Sequence, residues 1–289
     1  MRVSTLSNIL FLTDEADKKF LELSTYLRQV STGKKVNLYS TEPEKVVDLI
    51  SVKWNINKVE QYDDNIKFAK GFLLTADDVL GKAYDTLLEV KTKLVEAANS
   101  VSDYTNLQQS LKALKDRLLQ YANTRVGDYY LFAGDNYTTQ PFNTTDYTYQ
   151  GGSNPFPIKV AENDYVDVFT VGSDAFGSGS NSIFAVIDNA INNITDHDTV
   201  ENAIAQVESY LKSIDNLRGK IGDAEKKLED YSLTYSELLD NLRKQKSDIE
   251  DVDMDVAISQ YQSADTAYKA VLTLLAKENG QKSILLNYF

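Results

Sequence analysis

The chain has 289 residues, 42% of them hydrophobic and 25% charged, enough for one large or two ordinary domains with a real core. The 30 Lys and Arg against 43 Asp and Glu leave a net charge of -13, which disfavours nucleic acid and anionic membrane as partners. Cysteine is absent and His197 is the single histidine, so disulfides, thiolate metal sites, nucleophilic Cys and schemes needing two imidazoles are excluded.

At the N-terminus the apolar run Ile9-Leu10-Phe11-Leu12 stops at Thr13-Asp14-Glu15. That is too short for a signal-peptide core, and no run approaches the ~20 residues that cross a bilayer. A chain soluble when made, with no cleaved signal, is expected. Leu6, Ile9, Ala16, Phe20, Leu23, Leu27 and Val30 alternate by three and four, with Thr13 at one polar position, which predicts a heptad-seamed helix over roughly residues 5–32. Ser31-Thr32-Gly33-Lys34-Lys35 supplies a stop. Thr41-Glu42-Pro43-Glu44 supplies a start, with Thr41 as cap, Glu44 completing a capping box and Pro43 tolerated in the first turn.

The second helix carries the strongest periodicity. Val52, Val59, Ile66, Leu73, Leu80, Leu87, Leu94 and Val101 recur every seven residues, and Tyr62, Ala69, Ala76, Ala83, Val90 and Ala97 fill the companion position. Large residues facing mostly alanine let a partner helix approach closely, and the strict repeat implies a left-handed supercoil. A third helix follows with Leu107, Leu111, Leu114, Leu118 and Tyr121.

Seven of the 13 Gly and three of the four Pro then fall between Gly127 and Gly179. Within that turn-rich stretch, Tyr147-Thr148-Tyr149, Ile158-Lys159-Val160 and the run from Tyr165 to Val171 alternate as strands do. The tyrosines there (Tyr129, Tyr130, Tyr137, Tyr147, Tyr149, Tyr165) read as sheet packing ahead of a contact surface.

Beyond it the helical pattern returns. Val200, Ile204, Val207, Leu211 and Ile214 open a seam that Leu217, Ile221, Ala224, Leu228, Tyr231, Tyr235, Leu238, Leu242, Gln245, Ile249, Val252 and Val256 continue, predicting one helix of about 55 residues. A final seam, Ala257, Tyr261, Ala264, Tyr268, Val271 and Leu275, is expected to end near Asn279-Gly280. The fold class is therefore mainly α: an elongated helical bundle or coiled coil of N- and C-terminal arms with a small inserted β-rich domain. Its bundle core is predicted at Val59, Ile66, Leu73, Ala76, Leu80, Ala83, Leu87, Val90, Leu94, Leu211, Ile221, Leu228, Leu238 and Leu242. The terminal seams have little of the chain to cover them, so Leu6, Ile9, Ala16, Phe20, Leu23, Leu27, Val30, Ala257, Tyr261, Ala264, Tyr268, Val271 and Leu275 are predicted to bury against other subunits.

Motifs with chemical meaning are weak. Asp251-Val252-Asp253-Met254-Asp255 opens like a calcium loop, but Val256 and Gln262 stand where Gly and Glu are needed and the helical periodicity runs straight through. Gly33-Lys34 lacks the rest of a phosphate loop, three Asn-x-Thr triplets are expected by chance, and His197 reads as a solvated residue between helices. No catalytic, metal or cofactor residue is predicted.

Short motifs in a fixed order carry a resemblance. They are Met1-Arg2-Val3-Ser4-Thr5, Ser31-Thr32-Gly33-Lys34-Lys35-Val36-Asn37, Tyr130-Leu131-Phe132-Ala133-Gly134, Pro141-Phe142 and Tyr149-Gln150-Gly151. At the other end stand Asp255-Val256-Ala257-Ile258, Tyr268-Lys269-Ala270 and the stretch from Ser283 to Phe289. On these the chain resembles the bacterial flagellin family essentially end to end, and within it the members that join hook to filament. Ser40-Thr41-Glu42-Pro43 departs from the family's usual Asp-Asp-Pro or Asp-Asp-Ala. The resemblance implies a structural adaptor and no enzyme. Residues 1–34 with 257–289 would be the coiled-coil inner core of a tubular assembly, 35–130 with 181–256 the long-helix bundle, and 131–180 the outward β-rich insertion. Implied partners are copies of itself in a ring, a neighbouring hook-associated protein, flagellin and an export chaperone, with export through the flagellar type III channel. The alternative within the family is the filament subunit; a carboxylate-based glycosidase is a distant one.

Overall fold

The computed structural model describes the backbone of residues 2–35, 42–99 and 104–286 and the side chains of 7–35, 42–99 and 104–278; the Leu6 side chain, the Thr41 cap and Val101 lie outside the described residues. Its helices are α1 (Arg2–Thr32), α2 (Pro43–Ala98), α3 (Thr105–Ala122), α4 (Gly172–Phe176), α5 (Ile183–Asn192), α6 (His197–Glu250) and α7 (Met254–Leu286). Two antiparallel hairpins, β1 (Arg125–Val126) with β2 (Tyr129–Tyr130) and β3 (Phe156–Ala161) with β4 (Asp164–Phe169), lie between α3 and α4. The chain forms two compact units, Met1–Lys58 with Leu238–Phe289, and Val59–Glu237.

In the first unit α1 packs along α7, with the Phe20 and Tyr268 rings 5.7 Å apart. α1 stops at Gly33, whose φ of +69° a residue with a Cβ adopts only at a cost. The segment after it is tied to the corner between α6 and α7. Val252 N–H donates to the Gly33 carbonyl at 2.9 Å and Lys35 N–H to the Glu250 carbonyl at 2.8 Å, closing an antiparallel bridge between Lys34 and Asp251. That corner corrects the uninterrupted helix expected through residues 251–255. Asp253 caps α7 by accepting the backbone N–H of Asp255 at 3.0 Å and of Val256 at 3.3 Å, so the acidic run is a helix start. α7 in turn continues through Gly280 to Leu286, past the expected stop. One glycine inside a helix costs only ~1 kcal/mol against alanine, too little to end it.

The second unit is organised on α2. Ile66, Leu73, Leu80, Leu87 and Leu94, with Ala69, Ala76, Ala83, Val90 and Ala97 beside them, are all buried, as are Val59, Leu107, Leu111, Leu114 and Leu118. On α6 the buried stripe runs through Val200, Val207, Leu211, Ile214, Leu217, Ile221, Leu228 and Tyr235. It then passes to Leu239 and Leu242, in the first unit, and leaves Leu238 40% exposed, a correction to the predicted core. A helix turns 3.6 residues at a time, so a stripe read at strict heptad spacing walks round by ~20° per heptad. By this point the companion position has moved by one residue. Between α2 and α6, Arg218 grips Asp77 with two parallel bonds of 2.8 and 3.0 Å.

The β3–β4 hairpin is held to these helices by polar contacts. Tyr235 Oη donates to the Val160 carbonyl at 2.7 Å, Asn65 Nδ2 to the Lys159 carbonyl at 2.8 Å, and Lys227 and Tyr231 both reach the Asp164 carboxylate. Beneath it Phe72 meets Phe169 edge-on at 5.1 Å and Tyr137 stacks on Phe169 at 5.4 Å. Tyr165, by contrast, is 51% exposed.

Tyr147-Thr148-Tyr149 is not a strand: only a single bridge joins Tyr149 to Phe142, and Tyr147 sits at φ +58°. Its hydroxyl donates to the Asp188 carboxylate, and the buried Lys115 ammonium donates to both, at 2.9 Å to Tyr147 and 2.6 Å to Asp188. These bonds hold a left-handed conformation that tyrosine otherwise avoids. The short helix α5 was not foreseen; Ser182 Oγ caps it by accepting the Ala185 N–H, it packs on α3, and its Phe184 ring meets those of Phe142, Tyr147 and Phe176. His197 opens α6 as an exposed side chain with Nε2 3.2 Å from Glu201, on a helix end instead of in a loop.

Candidate assembly surface

The terminal seams meet one another in the first unit and cover each other only in part. Ala16, Ala257 and Ala264 are buried; Ile9, Leu23, Val30, Tyr261, Tyr268, Val271 and Leu275 are half-buried. Phe20 and Leu27, both seam positions, are 54% and 50% exposed. The small alanines are buried while the larger seam side chains stay partly open even where Phe20 meets Tyr268, so the pair presents apolar surface that a water-facing helix pair has no reason to keep.

Further exposed residues add to that surface. Leu10, Phe11 and Leu21 on α1 and Leu272 and Leu274 on α7 lie off the predicted seams and are among the largest exposed apolar groups of the chain. The signal for the first two is the run Ile9-Leu10-Phe11-Leu12 itself, since four consecutive apolar residues necessarily occupy every face of a helix.

A polar clamp fixes where the terminal pair departs. Glu250 is 9% exposed and its Oε1 accepts from Lys34 Nζ at 2.8 Å and Lys53 Nζ at 3.0 Å, which links the segment after α1, the start of α2 and the end of α6. Burial alone pushes this carboxyl up; the two ammonium groups outweigh that and hold it below its ordinary 4.5. Lys34 is raised by the same bond. Lys35 Nζ adds a bond to the Asp248 carbonyl at 2.7 Å.

Among the described residues no group of three or more His, Asp or Glu could hold a metal ion, and no helix is long and apolar enough to cross a membrane. What the described residues present is a partly covered pair of terminal helices beside a charged clamp, with apolar side chains left exposed on both helices. Known proteins supply the class. The bacterial flagellin N-terminal helical region matches residues 3–137 and the bacterial flagellin C-terminal helical region matches residues 204–289, and the chain belongs to the bacterial flagellin family.

Within the family, the flagellar hook-associated protein 3 of Escherichia coli strain K12 is 27% identical over 278 residues, 86% of this chain and 88% of that protein. A flagellin of Bacillus subtilis strain 168 is 22% identical, covering 90% of each. The crystal structure of the flagellar hook-associated protein 3 of Legionella pneumophila shares the fold, with a TM-score of 0.63 at 18% identity over 69% of this chain and 98% of that one.

Proposed function

We propose that the chain is the structural adaptor that joins the hook to the flagellin filament of the bacterial flagellum. The observation that carries this reading is the apolar surface left open on α1 and α7, on a chain whose end-to-end relatives include hook-associated protein 3. An adaptor needs one surface for the layer below and another for the layer above, whereas a filament subunit repeats one head-to-tail contact indefinitely. In this reading residues 1–34 and 257–289 form the inner core of a tubular ring of copies, 35–130 with 181–256 the long-helix bundle around it, and 131–180 the outward insertion. The neighbours are a hook-associated protein on one side and flagellin on the other, and the chain leaves the cell through the flagellar type III channel with a chaperone.

The role is passive and mechanical, with no reaction catalysed and no cofactor held. The filament subunit is the second reading, kept open by flagellin relatives of equal coverage. Deleting the gene separates the two. A strain lacking the adaptor retains hooks and secretes unassembled flagellin into the medium, and the gene restores filaments when returned. Filaments of normal length on the deletion strain would contradict the adaptor, and loss of the filament with loss of all secreted flagellin would favour the filament subunit.

A further inference from the structure

We infer that the face of α2 bearing Val47, Ile50 and Trp54 is a contact between neighbouring copies of this chain, an inference that rests on the adaptor reading above. The first four turns of α2 are apolar on two sides. Val46, Leu49, Val52 and Ile56 are buried, while Val47, Ile50 and Trp54, spaced by three and four residues, form one stripe with exposures of 67%, 60% and 60%. A helix apolar on both sides is built to be covered on both sides. Trp54 is the only tryptophan of the chain, and the Lys58 ammonium lies 5.0 Å from its ring centroid, a contact that leaves most of the ring open.

Charge selects the partner. Residues 59–237 hold 15 basic and 28 acidic residues, the entire net charge of -13, whereas residues 1–58 and 238–289 hold 15 of each. A second copy meeting this face therefore brings no net repulsion, while copies meeting through the Val59–Glu237 unit would set -13 against -13. Around the stripe Glu44, Lys45, Asp48 and Lys58 mix both signs, a pattern suited to a neutral partner of the same composition. Size sets when the contact forms. Three side chains fall well short of the ~800 Å² per partner of a stable interface, so the stripe does not dimerise the free chain. It closes once the terminal helices hold copies side by side, where effective concentration replaces area.

The test is photocross-linking in assembled flagella, with p-benzoylphenylalanine replacing Trp54 in the full-length chain expressed in the deletion strain. The same probe at Leu21 on α1 serves as the reporter of assembly through the terminal helices. The expected product from position 54 contains two copies of this chain and nothing else. Trp54→Glu, a change at an exposed site that leaves the helical circular dichroism intact, is expected to lower the amount of chain retained on hooks about tenfold at unchanged secretion. A cross-link from position 54 to flagellin or to another hook-associated protein overturns the inference. So does no cross-link from 54 while Leu21 links, or full retention of Trp54→Glu; each of these leaves the adaptor reading standing. Absence of the chain from flagella, with neither probe linking, overturns both.

Discussion

At Ala76 and Ala83 the α2 side chains are 1% and 0% exposed, so the methyl group is the whole of the available space. Ala76→Leu or Ala83→Leu inserts three carbons into a closed seam and is expected to destabilise the chain by ~1–3 kcal/mol, read as a lower urea midpoint at unchanged slope. Unaltered unfolding in both variants would mean that this face is not the interior. Glu250 makes a prediction with a pH signature. Its folded value is depressed below 4.5, so the clamp's contribution is fully present above that pH and is lost as pH falls through the depressed value. Glu250→Gln is expected to cost ~1–2 kcal/mol at neutral pH, discounted because both lysines are nearly half exposed, and progressively less as pH falls through the depressed value. A gap between wild type and variant that does not shrink as the solution is acidified would contradict the clamp. The alanine seam was legible because helical spacing alone dictates it. Glu250 was not, because its partners Lys34 and Lys53 lie some two hundred residues away in the chain and nothing local marks them.

Among the elements, the α6–α7 corner shows what periodicity hides. Val252 and Val256 keep the heptad phase across residues 251–253, so the pattern reads as continuous while the backbone breaks. The break is set by Asp253, whose short carboxylate competes for the first N–H groups of α7. Asp253→Ala is expected to cost ~1 kcal/mol and to raise hydrogen exchange at Asp255 and Val256; unchanged exchange there would show that the cap is idle. α5 escaped detection for a different reason. It buries Ile183, Phe184, Val186, Ile187 and Ala190 and leaves Asn189 and Asn192 exposed, a helical stripe, but ten residues beside a turn-rich stretch give that spacing too few repeats to stand out. The β3 and β4 strands were legible from alternation, since one face is covered and the other wet. Tyr147 to Tyr149 alternates equally well, yet its hydroxyl bonds to Asp188 and to the Phe132 and Gly152 carbonyls decide the backbone, and those partners are tertiary.

For the whole molecule, net charge conceals a partition: the acidic excess lies entirely in the Val59–Glu237 unit, and the unit that carries the terminal helices is neutral. A neutral, apolar-faced unit is suited to packing against copies of itself, and an acidic one to staying apart from them. The two terminal seams were legible from their spacing, but they were expected to bury against other subunits and in the chain they meet one another, with Phe20 against Tyr268; the open faces beside them were not legible, because a seam states where a helix is covered and is silent on what remains. The adaptor reading makes one demand of the intact organelle. Immunogold labelling of wild-type flagella with antibody to this chain is expected to place gold in a single short zone where the hook meets the filament, with the shaft unlabelled. Gold distributed along the length of the filament would contradict the adaptor and identify the chain as its repeating subunit.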